Sequence, residues 1–118
     1  MNKKRRAIFE KSGGRCWYCG CRLEEKGWHA DHFEPIRRNW TDGTCIHPEL
    51  DTEENKVPAC GSCNIQKGSL SLESFRNKIS GFINSLNQYH SQYAVAKRYG
   101  LIEEQTTDVV FWFEKQEQ

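Results

Sequence analysis

The sequence predicts a small α+β fold, and three observations predict it. Two Cys-x-x-Cys pairs, Cys16/Cys19 and Cys60/Cys63, enclose a stretch that reads as an antiparallel hairpin. From Leu72 onward apolar residues recur at three- and four-residue steps, the period of an amphipathic helix. Hydrophobic residues make up only 36% of the 118 residues. That share is low for a self-sufficient core, so a metal crosslink would add to stability.

Taken in order, residues 3–12 read as a short helix with Ala7, Ile8 and Phe9 on its buried side. Ser12-Gly13-Gly14 ends it, because glycine adopts the positive φ of a helix stop. Arg15 to Gly20 forms a tight turn carrying Cys16-Trp17-Tyr18-Cys19, with Trp17 and Tyr18 packing around the turn rather than ligating. Residues 28–33 (Trp-His-Ala-Asp-His-Phe) read as a strand, which Pro35 ends. Alternation places His29 and Asp31 on one face and His32 on the other unless a bulge re-aims them. Residues 36–54 form a long polar loop, and Asn55 to Ala59 is the return strand. Leu72, Phe75, Ile79, Phe82, Ile83, Leu86, Tyr89 and Tyr93 mark one long helix ending near Tyr99-Gly100. Ser71 is its N-cap, and Gly81 a bend or close contact. Val109 to Phe113, rich in β-branched and aromatic residues, reads as a terminal strand.

A chain of this length is one domain. No apolar run approaches transmembrane length, and the N-terminus lacks the apolar stretch of a signal peptide. The expected compartment is the cytoplasm, where six cysteines point to metal or free thiols rather than disulfides. Cys16, Cys19, Cys60 and Cys63 form two matched knuckles, the pattern of a closed tetrahedral Zn²⁺ site with a structural role. Cys21 offers a rival Cys19-x-Cys21 pair. The matched spacing favours Cys16 with Cys19, leaving Cys21 and Cys45 as free thiols.

The net charge of +1 conceals an asymmetry: residues 1–40 carry ten Lys or Arg against five Asp or Glu, and residues 41–118 carry seven against eleven. Lys3, Lys4, Arg5 and Arg6, with Arg15, Arg22, Arg37 and Arg38, suggest a phosphate-facing surface. The bland reading is a solubilising arm. Between the knuckles, Asp31-His32 pairs an oxygen ligand for a hard cation with the side chain whose ordinary pKa lies nearest neutrality.

Cys-x-x-Cys, then Asp31-His32-x-x-Pro35, then Asn55-Lys-Val-Pro-Ala-Cys-x-x-Cys-Asn64-x-x-Lys67-Gly68 resembles the HNH endonucleases with a ββα-metal fold and a four-cysteine zinc site. The resemblance covers about residues 8–76, with residues 77–118 as an extension. Tyr93 to Gly100 and Val109 to Glu114 are similar to the C-terminal part of small stand-alone phage HNH proteins. The resemblance implies hydrolysis of DNA phosphodiester bonds, as a nick or a double-strand break, leaving 5′-phosphate ends. His32 becomes the general base that activates a water. Asp31 and Asn64 become ligands of one Mg²⁺ or Mn²⁺, and Asn55 a brace around the histidine. Double-stranded DNA is the implied partner, and a phage-packaging or other DNA-processing assembly in a bacterial or phage-infected cytoplasm the implied setting.

Each role has a rival. Asn64 would also serve as a helix N-cap. Asn55 would also serve as an ordinary turn residue. His29 is either an added metal or phosphate contact or a surface residue, and His47 belongs to the surface. Lys67, Arg37 and Arg38 either touch phosphate or are solvated charges. A second function class also fits: a zinc-ribbon DNA-binding module that does not cleave. A third option is a nuclease acting on RNA or branched DNA.

Overall fold

The computed structural model describes residues 1–39 and 41–116. Among them are six α-helices and one two-stranded antiparallel sheet, a small α+β fold. The chain divides into two compact units, one of Met1–Leu72 with the chain from Val110 onward, the other of Glu73–Val109. No helix of the described residues is long and apolar enough to cross a membrane.

In the first unit, α1 (Lys3–Glu10) starts at Asn2, whose Oδ1 accepts from the Arg5 N–H at 2.8 Å. This satisfies one of the amides a helix start leaves open. The buried side of α1 is Ile8 and Phe9, which pack with Trp28, Leu23 and Ala30. Ala7, expected inside, is exposed. The Arg5 guanidinium lies 3.9 Å over the Trp28 ring and donates to the Trp28 carbonyl at 3.0 Å. Lys11, the C-cap of α1, reaches the turn before the second strand and donates to the carbonyls of Glu53 and Lys56 at 2.7 and 2.6 Å.

The strands are β1 (His29–His32) and β2 (Lys56–Ala59), paired in regular register with His29 opposite Ala59 and His32 opposite Lys56. No bulge interrupts that pairing, and Asp31 is buried, with Val57 opposite. A long loop joins the two strands. It doubles back through an Arg38–Cys45 bridge and hydrogen bonds from Ile46 N to Arg37 O and His47 N to Ile36 O. It ends in a 3₁₀ turn at Pro48–Leu50.

Next comes α2 (Gly61–Lys67). The knuckle at Cys16–Cys19 docks on β2 through Trp17 N to Pro58 O at 2.8 Å. The C-terminal segment then docks on the knuckle. The expected strand at Val109–Phe113 is not one: the chain there is extended without a ladder and turns into α6 (Trp112–Lys115). The reason is where its amides go. Trp112 N and Phe113 N donate to the Tyr18 and Trp17 carbonyls at 2.8 and 3.1 Å. Glu114 reaches back to the Phe111 N–H at 2.9 Å. Phe113 stacks on Trp17 with centroids 5.5 Å apart, and Phe111 meets Tyr18 edge-on at 5.7 Å. The aromatic residues that suggested a strand therefore serve an aromatic cluster. Gly20 makes the docking possible. Its φ is +80°, and a Cβ there would lie 2.6 Å from Trp112 Cδ1.

The second unit corrects the expectation of one long helix. The periodic stretch is three helices: α3 (Leu72–Ser80), α4 (Phe82–Tyr89) and α5 (Ser91–Arg98). Gly81 interrupts the first junction, and His90, extended at φ −123° and ψ 94°, separates α4 from α5. The apolar period carries across both breaks, so periodicity alone does not register them. Glu104 ties α4 to α5 by accepting from Asn87 Nδ2, Tyr93 OH and Lys97 Nζ at 2.6, 2.9 and 2.9 Å.

Candidate metal centre and the Asp31–His32 cleft

Four cysteine sulfurs, from Cys16, Cys19, Cys60 and Cys63, lie within 4.8 Å of one another. The first two come from the turn after α1. Cys60 ends β2 as the N-cap of α2, where its Sγ accepts from the Cys63 N–H at 3.3 Å. The donor set can hold a metal ion and suits zinc. A tetrahedral ion with Zn–S bonds of about 2.3 Å would place its sulfurs about 3.8 Å apart, and Cys19 Sγ and Cys60 Sγ are 3.9 Å apart. The charges agree. A hydrogen bond from Cys63 is the main cause drawing the Cys16 thiol down to about 4, while the same bond holds Cys63 well above its ordinary value. Thiolates this close repel, and a divalent cation offsets that repulsion. Cys21 lies outside the four-sulfur group, although its thiol is in contact with Cys19 and Cys60. Its thiol is pushed up to about 12, chiefly by burial and then by Cys19.

Beyond the cysteines, a cleft of about 750 Å³ opens beside β1, lined among others by Asp31, His32, Arg37, Arg38, Gly68 and Ser69. Arg37 and Arg38 thus stand at the same cleft as the Asp-His pair. Asp31 is deeply anchored. Its Oδ2 accepts from the Tyr18 OH at 2.6 Å and lies 3.2 Å from Lys67 Nζ. Burial, and then the Asp31 charge, push the Tyr18 phenol upward, so it stays a donor. Oδ1 of Asp31 takes no hydrogen bond from the described residues.

His32 is set from the other side. Its Nε2 lies 2.8 Å from Asp51 Oδ1, and Lys56 Nζ is 3.4 Å from that same oxygen. These contacts, the histidine first, hold the Asp51 carboxyl below the usual carboxylate range. Asn55 joins the chain after β1 to the chain before β2. Its Nδ2 donates to Glu34 O at 2.9 Å and Leu50 O at 2.7 Å, and its Oδ1 accepts from Glu34 N at 2.9 Å. Asn64 lies on α2 one turn before Lys67, half-buried. The capping alternative does not apply to it, because Cys60 holds the N-cap position.

Compared with models of known protein families the chain matches none, and a comparison with curated proteins gives no match either.

Several expected phosphate contacts are placed elsewhere. Lys67 has no exposed surface, so it is neither a solvated charge nor free to meet a phosphate from outside. It is held by Asp31 and by the His32 carbonyl, to which it donates at 3.1 Å. The basic run of α1 is also largely engaged: Arg5 covers Trp28, Arg6 lies 3.8 Å from Glu10 and 3.6 Å from Glu25, and Lys4 is 4.0 Å from Glu53. None of Lys3, Lys4, Arg5 or Arg6 lines the cleft. His29 is exposed, and His47 pairs on the surface with Glu49 at 3.3 Å.

Sequence reasoning missed Asp51, Tyr18 as the partner of Asp31, and the burial of Lys67. Asp51 sits in an unpatterned loop, where no spacing marks it. For Lys67 a signal existed: three residues after Asn64 on a helix, it shares a face with a residue expected at the site.

Proposed function

We propose that this chain is a metal-dependent endonuclease of the HNH type, with a ββα-metal core formed by β1, β2 and α2 and a structural zinc at its four cysteines, acting on double-stranded DNA. The single observation that carries the reading is the cleft in which Asp31 and His32 stand with Arg37 and Arg38. Acid–base chemistry and phosphate recognition then share one surface. His32 takes the proton of an attacking water. Arg37 and Arg38 neutralise phosphates flanking the scissile bond. Asp31, through its uncommitted Oδ1, and Asn64, through its amide oxygen, are the residues that would hold one Mg²⁺ or Mn²⁺. When bound, such an ion supplies charge neutralisation at the phosphate and the leaving 3′ oxygen. Asn64 directly follows the zinc ligand Cys63, so the zinc keeps α2 in register with β1.

The specific observation favouring the alternative, a zinc-ribbon DNA-binding module without cleavage activity, is the Lys67–Asp31 pair. An ammonium already neutralises the carboxylate, as a purely structural role would require. Nicking of supercoiled plasmid with Mg²⁺ or Mn²⁺ separates the two. The wild type should nick, and His32→Ala should lose activity by about 100-fold or more. Equal activity of the two proteins at equal zinc content would leave the binding module as the answer. Duplex, single-stranded and junction substrates, with RNA beside them, then define the substrate.

A further inference from the structure

We propose that Asp51 is the positioning residue of His32: its carboxylate holds the ring proton on Nε2 and leaves Nδ1 as the nitrogen with the free lone pair. The inference rests on the nuclease reading of His32 and adds a residue that no motif marks. A neutral imidazole carries one proton and must place it on one of two nitrogens, while an ionised carboxylate only accepts. With Nε2 at 2.8 Å from Asp51 Oδ1, the donor has to be Nε2. Orientation follows from the same bond, since it fixes the ring about its two side-chain torsions.

The surroundings show that the contact is built in. Lys56 stands opposite His32 in the β1–β2 register and puts its Nζ 3.4 Å from the same Asp51 oxygen. Asp51 itself leaves the 3₁₀ turn with its N–H on the Pro48 carbonyl at 3.1 Å. The amide of Asn55 then holds both partners' chain segments. It binds Leu50, the residue before Asp51, and Glu34, two residues after His32. The Asp51 side chain is half exposed, at 52%, and an ion pair so placed adds little to stability. Its effect is therefore on the geometry and proton position of His32.

The test uses the ¹⁵N-labelled, zinc-loaded full chain. Long-range ¹H–¹⁵N spectra of the neutral His32 ring should place the proton on Nε2, with slow exchange to water. Asp51→Ala should lose that protected proton, Lys56→Met should keep it, and the Asp51→Ala melting temperature should stay within about 2 °C of wild type. Plasmid nicking by Asp51→Ala should fall about tenfold or more. A proton on Nδ1 in the wild type overturns the proposal. So does an Asp51→Ala variant that keeps either the protected Nε2–H or wild-type nicking. If the wild type itself does not nick, the nuclease reading falls, and the ring-proton comparison alone decides the role of Asp51.

Discussion

Lys67 Nζ lies 3.2 Å from Asp31 Oδ2, with the lysine side chain fully buried and that of Asp31 only 7% exposed. The two come from α2 and β1, so one buried ion pair joins the helix to the sheet. The Tyr18 hydroxyl completes the site from the cysteine knuckle. Removing one member of such a pair leaves the other as an uncompensated buried charge. Lys67→Met should therefore cost about 3–5 kcal/mol in urea unfolding. A loss below about 1 kcal/mol would mean the pair does not anchor Asp31.

Asn55 makes three side-chain hydrogen bonds at 2.7–2.9 Å, two to Glu34 and one to Leu50. Replacing it by alanine leaves those backbone groups unpaired, at a cost of about 2–3 kcal/mol. Asn55→Asp keeps the acceptor but sets a second carboxylate oxygen against the Glu34 and Leu50 carbonyls, so its cost should be at least that of alanine. Chemical denaturation of the three proteins provides the comparison.

The cysteine centre should bind one zinc per chain, read by metal analysis of the purified protein. Cys60→Ser and Cys63→Ser should lose the metal, and chelation should melt the wild type at a lower temperature. Cys21→Ser and Cys45→Ser should keep it, because neither belongs to the four-sulfur group. A melting curve indifferent to chelator would remove the metal from the account.

Glu104 sets an acid limit on the α4–α5 pair. Asn87, then Lys97 and Tyr93, hold its carboxyl at about 2, below an ordinary value of 4.5. Because the folded value is the lower one, the ionised form is favoured by folding. The stabilisation is complete above about 4.5 and is lost as the pH falls toward about 2. Glu104→Gln should melt below wild type at neutral pH, and the gap should close over that window. A gap independent of pH would assign the stabilisation to packing instead of charge.

If the cleft receives DNA, Arg37 and Arg38 each contribute a phosphate contact. The double alanine variant should bind duplex DNA more weakly, and its plot of log affinity against log salt should be shallower by about 2. Lys3→Ala with Lys4→Ala, outside the cleft, should change that slope less. The reverse ranking would move the DNA path to α1.

What the sequence determined by itself was local. Two Cys-x-x-Cys turns specify their own geometry, so the four-sulfur group was legible from spacing. Alternation and Pro35 specified β1, and the run into Cys60 specified β2. These signals span only a few residues, and short-range sterics and hydrogen bonding enforce them. The tertiary structure decided the rest. Val109 to Phe113 has strand propensity, yet its amides found the Trp17 and Tyr18 carbonyls and its rings found the knuckle's aromatics. The helical period from Leu72 persists through a helix break at His90, because periodicity records which side is apolar and not where the chain turns. Lys67 read as a phosphate contact or a solvated charge, but Asp31 and the His32 carbonyl supply the partners that make its burial affordable. Asp51 acquired its place beside His32 only when the loop closed over Asn55. Pairings between residues distant in sequence depend on which backbone and polar groups remain open after the local elements form, and only the assembled fold settles that competition.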